Sequence, residues 1–132
     1  MEADNMDIRD LIEGKDFYRK RQYKSSFYQI PLPYRTLSEY ELWECDMKAF
    51  ESVGNKDVLM SFDENTKLTP EQSMMLARAT KLTDYLIVLA AMKDFVDGLT
   101  IELVFRMKGV PAFATLIRKE SGVGSEEEIK NF

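Results

Sequence analysis

A chain of 132 residues, 45% hydrophobic and 31% charged, has the size and composition of one globular domain rather than of a disordered or two-domain protein. Its 23 acidic and 18 basic side chains give a formal net charge of −5, which argues against a general nucleic-acid binder. With no histidine and one cysteine, Cys45, it has no intramolecular disulfide, Cys/His zinc site, Ser-His-Asp or Cys-His nucleophile, or histidine pH switch.

The acidic stretch Met1 to Asp7 has neither the basic nor the apolar region of a signal peptide. The longest apolar run, Tyr85 to Met92, falls far short of the roughly 20 residues of a membrane helix. The expectation is a soluble protein of a reducing cytoplasm. Residues 1–24 read as a leader and charged connector, and 25–132 as a single, mainly helical domain. In the leader, Ile8, Leu11 and Ile12 share a helical face that Gly14 ends. Arg19, Lys20, Arg21 and Lys24 then alternate with aromatics, the pattern of a small RNA- or phosphate-binding arm. Residues 1–24 hold six acidic and six basic residues, however, so a solvated strand balancing an acidic body fits better.

From Ser25 to Thr36 the aromatic residues favour extended structure, while Pro31 and Pro33 forbid a central strand. An edge strand or a short hairpin is predicted. Ser38 with Glu41 forms a capping box, and Tyr40, Trp43, Met47 and Phe50 trace an apolar face on the helix that follows, ending near Gly54. Glu39, Glu41, Glu44 and Asp46 read as its solvated side. Cys45 reads as a small buried hydrophobe whose thiol the flanking Glu44 and Asp46 would push up. Within 55–68, Asp57 to Phe62 could be a short buried segment, and Asp63 to Thr66 has turn chemistry without the offsets of a calcium loop.

Thr69-Pro70-Glu71-Gln72 opens the longest helix, expected to run to Asp97 with Gly98 as its stop. Leu82, Tyr85, Leu86 and Leu89 are its expected core. Thr100 caps a third helix, Ile101 to Lys108. A fourth, after Pro111, carries Phe113, Leu116 and Ile117 and stops at Gly122. Ser125 with Glu128 opens a last turn ending at Ile129 and Phe132. The fold class is thus mainly α: about four to five helices with a short extended or β segment near the N-terminus. No P-loop, Gly-x-Gly-x-x-Gly, metal-ligand spacing or nucleophile elbow is present, so no catalytic residue, cofactor or metal is expected.

The order of these pieces resembles the tail assembly chaperones of long-tailed bacteriophages and prophages. The likeness lies in the leader Asp7-Ile-Arg-Asp-Leu-Ile-Glu-Gly14 and the extended entry Tyr34-Arg-Thr-Leu-Ser-Glu-Tyr40. It continues in the apolar helix from Asp84 to Lys93-Asp-Phe95 and in the end Leu116-Ile-Arg-Lys-Glu-Ser-Gly122, followed by an acidic stretch to Ile129-Lys-Asn-Phe132. The chain departs from the pattern at Pro31 and Pro33, which interrupt the usual strand pairing, and in the 55–68 loop.

The resemblance implies a non-enzymatic assembly factor of the host cytoplasm, absent from the mature virion. It would coat the tape-measure protein until tail tube subunits replace it, and such proteins often have a frameshifted longer form. Methionine-rich helical faces are compatible with weak, reversible binding of apolar helices. The segments least able to bury themselves are the candidates for client binding or self-association: Phe27, Ile30 and Leu32 in the proline-interrupted stretch, and Phe113, Leu116, Ile117 and Phe132 toward the C-terminus. Two other readings stay open. One is a structural virion or connector protein for the tail or head-tail joint; the other is a small nucleic-acid-binding regulator.

Overall fold

The computed structural model describes residues 19–54 and 65–122. Along the chain run β1 (Arg21–Tyr23), β2 (Leu32–Tyr34), α1 (Glu39–Val53), α2 (Pro70–Met92), α3 (Ile101–Val104) and α4 (Val110–Glu120). The architecture is mainly helical with a short two-stranded sheet near the N-terminus, as the sequence predicts. The leader turn at Ile8, the Asp57–Phe62 segment and the Ser125–Phe132 turn lie outside the described residues.

The hairpin pairs antiparallel, Arg21 opposite Tyr34, Gln22 opposite Pro33 and Tyr23 opposite Leu32. Pro33 is tolerated because a two-stranded ribbon consists only of edges. The ribbon is pinned by its aromatics. Tyr23 stacks on Phe113 of α4 at 4.4 Å between ring centroids, and Tyr34 meets the same ring edge-on at 5.3 Å. The backbone N–H of Arg35 then donates to the Ala91 carbonyl (2.9 Å), capping an acceptor that the last turn of α2 leaves open.

Both predicted capping boxes form. The Ser38 hydroxyl accepts from Glu41 N–H and the Glu41 carboxylate from Ser38 N–H; Thr69 and Gln72 do the same for α2, with Pro70 at its start. Thr100 caps α3, as expected. Two helices are shorter than expected. The chain leaves α2 after Met92 in a series of turns, and α3 ends at Val104.

The central helix is α2, which packs on α1, α3, α4 and β2. Its buried residues are Ala79, Thr83, Ile87, Val88, Ala91 and Met92. Leu82, Tyr85, Leu86 and Leu89, the expected core, are only half-buried along its flanks. The reason is that Tyr85 to Met92 is apolar nearly all round, so periodicity alone cannot choose a face. Packing against α1 and α4 chooses the face, which combines the small Ala79, Thr83 and Ala91 with Ile87, Val88 and Met92. Thr83 fits there because its hydroxyl donates to the Ala79 carbonyl at 2.9 Å.

The same inversion occurs on α1. Leu42, Cys45 and Ala49 are buried, whereas Tyr40 and Trp43 point outward. The core is completed by Leu37, Val104, Val110, Phe113 and Ile117.

Candidate functional site

The best-connected polar cluster is built around Arg35, a buried residue in the extended entry to α1. Its guanidinium grips Glu41 with both ends, Nη2 to Oε2 at 2.7 Å and Nη1 to Oε1 at 3.1 Å. Nε donates to Asp94 (2.7 Å) and Nη1 to the Thr36 carbonyl (2.9 Å). Two residues on, Leu37 N–H donates to the Ser121 hydroxyl (3.0 Å), which itself donates to the Ile117 carbonyl. On the adjacent side, Glu120 accepts from both the Tyr34 hydroxyl and Arg21 Nη1.

The consequences are structural and electrostatic. The bidentate bonds to Glu41 hold the Arg35 proton more tightly than usual, against the opposing pull of burial. Burial alone would push Glu41 up, but Arg35 and the Ser38 amide together leave it below the ordinary carboxylate range. Burial, then the Glu120 hydrogen bond, pushes the Tyr34 hydroxyl above its ordinary value. These internal bonds clamp β2, α1, the end of α2 and the end of α4 together, with Arg21 Nε left buried without a hydrogen-bond partner among the described residues. Arg35, Leu37, Ser38, Asp94 and Ser121 all fall within the segments quoted above, and Glu41 directly follows the first of them; their mutual pairing across the chain is what sequence reading missed.

The Cys45 thiol is pushed up to about 11, chiefly by burial and then by Asp46, so it is a poor nucleophile. The basic arm is divided. Arg21 is bound to Glu120, Lys20 lies over the Phe95 ring at 5.9 Å, and Arg19 and Lys24 are exposed. No group of three or more His, Cys, Asp or Glu suited to a metal occurs among the described residues. No described helix is long and apolar enough to cross a membrane.

The outward apolar side chains are the other notable feature. Phe27 (57% exposed) and Ile30 (74%) stand at the hairpin tip, and Tyr40 (65%) and Trp43 (48%) on α1, their rings 5.5 Å apart. Phe105, after α3, is exposed and meets Tyr85 edge-on. Between α1, α2 and α3 lies a groove of about 570 Å³ lined by Lys48, Glu51, Ser52, Leu82, Leu86, Ile101 and Phe105. A second, of about 550 Å³, runs between Leu68, Leu76, Thr80, Asp84 and Pro111.

Of the candidate binding residues, Phe27 and Ile30 are on the surface, while Leu32 and Leu116 are half-buried against the core. Phe113 and Ile117 are corrected: both are fully buried on the helix that packs on α2, with the Phe113 ring under the hairpin, and neither is open to a partner. A short helix at the end of a domain need not be loosely held when aromatic residues from a distant hairpin pack on it. Phe132 lies outside the described residues. Tyr40 and Trp43, from the apolar face traced on this helix, point outward. The signal for their true position is the second stripe, Leu42, Cys45 and Ala49, whose small members allow a closer helix–helix approach. Comparison with protein-family models, curated proteins and solved structures yields no match.

Proposed function

We propose that this chain is a non-enzymatic tail assembly chaperone of a long-tailed bacteriophage, acting in the host cytoplasm. It holds apolar helical stretches of the tape-measure protein until tail tube subunits take its place. The observation that carries this reading is the set of large apolar side chains left outside an already completed core: Phe27, Ile30, Tyr40, Trp43 and Phe105. Apolar groups displayed in this way, on rigid elements, suit reversible covering of helices. Further support comes from the segments resembling the family, whose polar residues join at one clamp. Self-association into small oligomers belongs to the same reading, with Phe27, Ile30, Leu32, Leu116 and Phe132 as its remaining candidates.

Co-expression with the tape-measure protein of the same phage is the test. The chain should co-purify with it and increase its recovery, and should be missing from purified virions by mass spectrometry. Failure to associate would reject the reading; stoichiometric presence in virions would make the chain a structural component instead.

A further inference from the structure

The hairpin and the segment it lies against have a charge bias opposite to that of the whole chain. Residues 19–38 contain no Asp or Glu, and neither do 103–119, although the chain carries a net −5. The two segments meet at the hairpin tip. The Tyr28 hydroxyl accepts from the Lys108 N–H at 2.8 Å, and the Phe27 ring lies over Gly109, close enough to exclude a Cβ there. Ser25 holds the turn itself: its hydroxyl accepts from Phe27 N–H and its carbonyl from Tyr28 N–H. Phe27 and Ile30 thus face water from a turn tied down between them at Tyr28, and Lys24, Arg106 and Lys108 of the same two segments are also exposed. None of these three cations is in an ion pair among the described residues. Asp84, which shares a groove with Pro111, is half-buried and lies under the influence of Arg118.

We propose that the hairpin tip is a docking site for a short acidic protein segment carrying apolar side chains between its carboxylates. Phe27 and Ile30 supply the apolar anchors on a preformed turn, and Lys24, Arg106 and Lys108 select the partner's sign. The basic face is local, which favours a segment no wider than the tip. A nucleic acid or an anionic bilayer is broader, and would be brought against the acidic remainder of the chain. As a statement about client binding the proposal rests on the chaperone reading, and it names the client's chemistry.

The full chain is titrated with two fluorescently labelled peptides, one with leucines set between glutamates and a twin with lysines in place of the glutamates. By fluorescence anisotropy the glutamate peptide should bind at least about tenfold more tightly than its twin. Its binding should move the NMR amide signals of Phe27, Tyr28, Ile30 and Lys108. Ile30→Ser should weaken it about tenfold, and Lys24→Glu/Lys108→Glu, checked by circular dichroism, should reverse the preference. Equal affinities, movement confined to other residues, or a preference unchanged by charge reversal would overturn the proposal. So would self-association that the peptide displaces, which would assign the tip to a second copy. Phosphatidylserine vesicles or duplex DNA moving the same amides would overturn it too. If the charge-reversed variant does not fold, salt decides on the unmodified chain: glutamate-peptide affinity must fall as salt rises, and a flat response overturns the site. The peptides contain no phage protein. Docking without tape-measure co-purification therefore keeps the surface and loses the client, while co-purification surviving in the variants keeps the client and loses the surface.

Discussion

At the start of α1 two neighbouring regions reverse the usual distribution of polar and apolar groups. Arg35 is buried with its charge, while Tyr40 and Trp43, within about two turns of the entry, face water. The difference lies in what stands opposite each group. Arg35 has four hydrogen bonds to Glu41, Asp94 and the Thr36 carbonyl, so burial leaves its fork well supplied with acceptors. Among the described residues no helix stands opposite Tyr40 and Trp43, because α2 packs on the far side against Leu42, Cys45 and Ala49. Polar groups here specify how four segments join, and the apolar groups outside contribute little to that joining.

The largest effect should come from the core beneath the hairpin. Phe113→Ala removes the ring on which Tyr23 and Tyr34 pack and should cost about 3–5 kcal/mol in urea denaturation. Leu86→Ala, at a half-buried position lining a groove, should cost only about 1–2 kcal/mol. Equal losses would mean that the flank of α2 is as tightly packed as its inner face. Next comes Arg35→Met, which leaves two carboxylates without their partner. Because Asp94 is half exposed, about 2–3 kcal/mol is expected rather than the full cost of breaking a buried pair.

The clamp also predicts a pH dependence. Glu41 is held below its unfolded value of 4.5, so its contribution is present above that pH and is lost as pH falls through the folded value. Burial raises Asp84, with the opposite sign: falling pH relieves its cost. Glu41→Gln should therefore flatten the acid limb of the stability curve, and Asp84→Asn should steepen it.

Helix starts were legible in the sequence because caps are local chemistry. Ser38 with Glu41, Thr69 with Gln72, and Thr100 need only residues three or four apart. Which face a helix turns inward was not, because that depends on how closely a distant helix approaches. Both α1 and α2 carry two apolar stripes, and the inner one in each includes the smaller residues. The clamp was hidden for a related reason: Arg35 to Asp94 and Leu37 to Ser121 are pairings 59 and 84 residues apart. Phe113 was misplaced because its ring packs under a hairpin more than 75 residues upstream, and Ile117 because its helix packs on α2, neither of which a helical period records.

Smaller effects should separate the clamp from its surroundings. Ser121→Ala strands the buried Leu37 N–H and should cost about 1–3 kcal/mol by thermal denaturation. Gly98 and Gly109 both have positive φ, +76° and +74°, so alanine at either should cost about 1–2 kcal/mol from backbone strain. Only at Gly109 would the new Cβ meet the Phe27 ring, at 2.9 Å. An excess cost there would mean that the hairpin tip is held down; equal costs would mean that the ring swings away freely.

The smallest expected effect tests the comparison at adjacent positions. Leu42→Ala should cost about 2–4 kcal/mol, since the side chain is buried against α2. Trp43→Ala, one residue on, should cost less than about 1 kcal/mol, most of it from contact with Tyr40. Neighbouring positions in one helix share backbone propensity, so the gap reads tertiary packing alone. If Trp43→Ala destabilises as much as Leu42→Ala, the outward stripe is part of the fold and is not available to a partner. A near-neutral change would mean that the largest side chain in the protein is held outside at little benefit to folding, as a docking anchor requires.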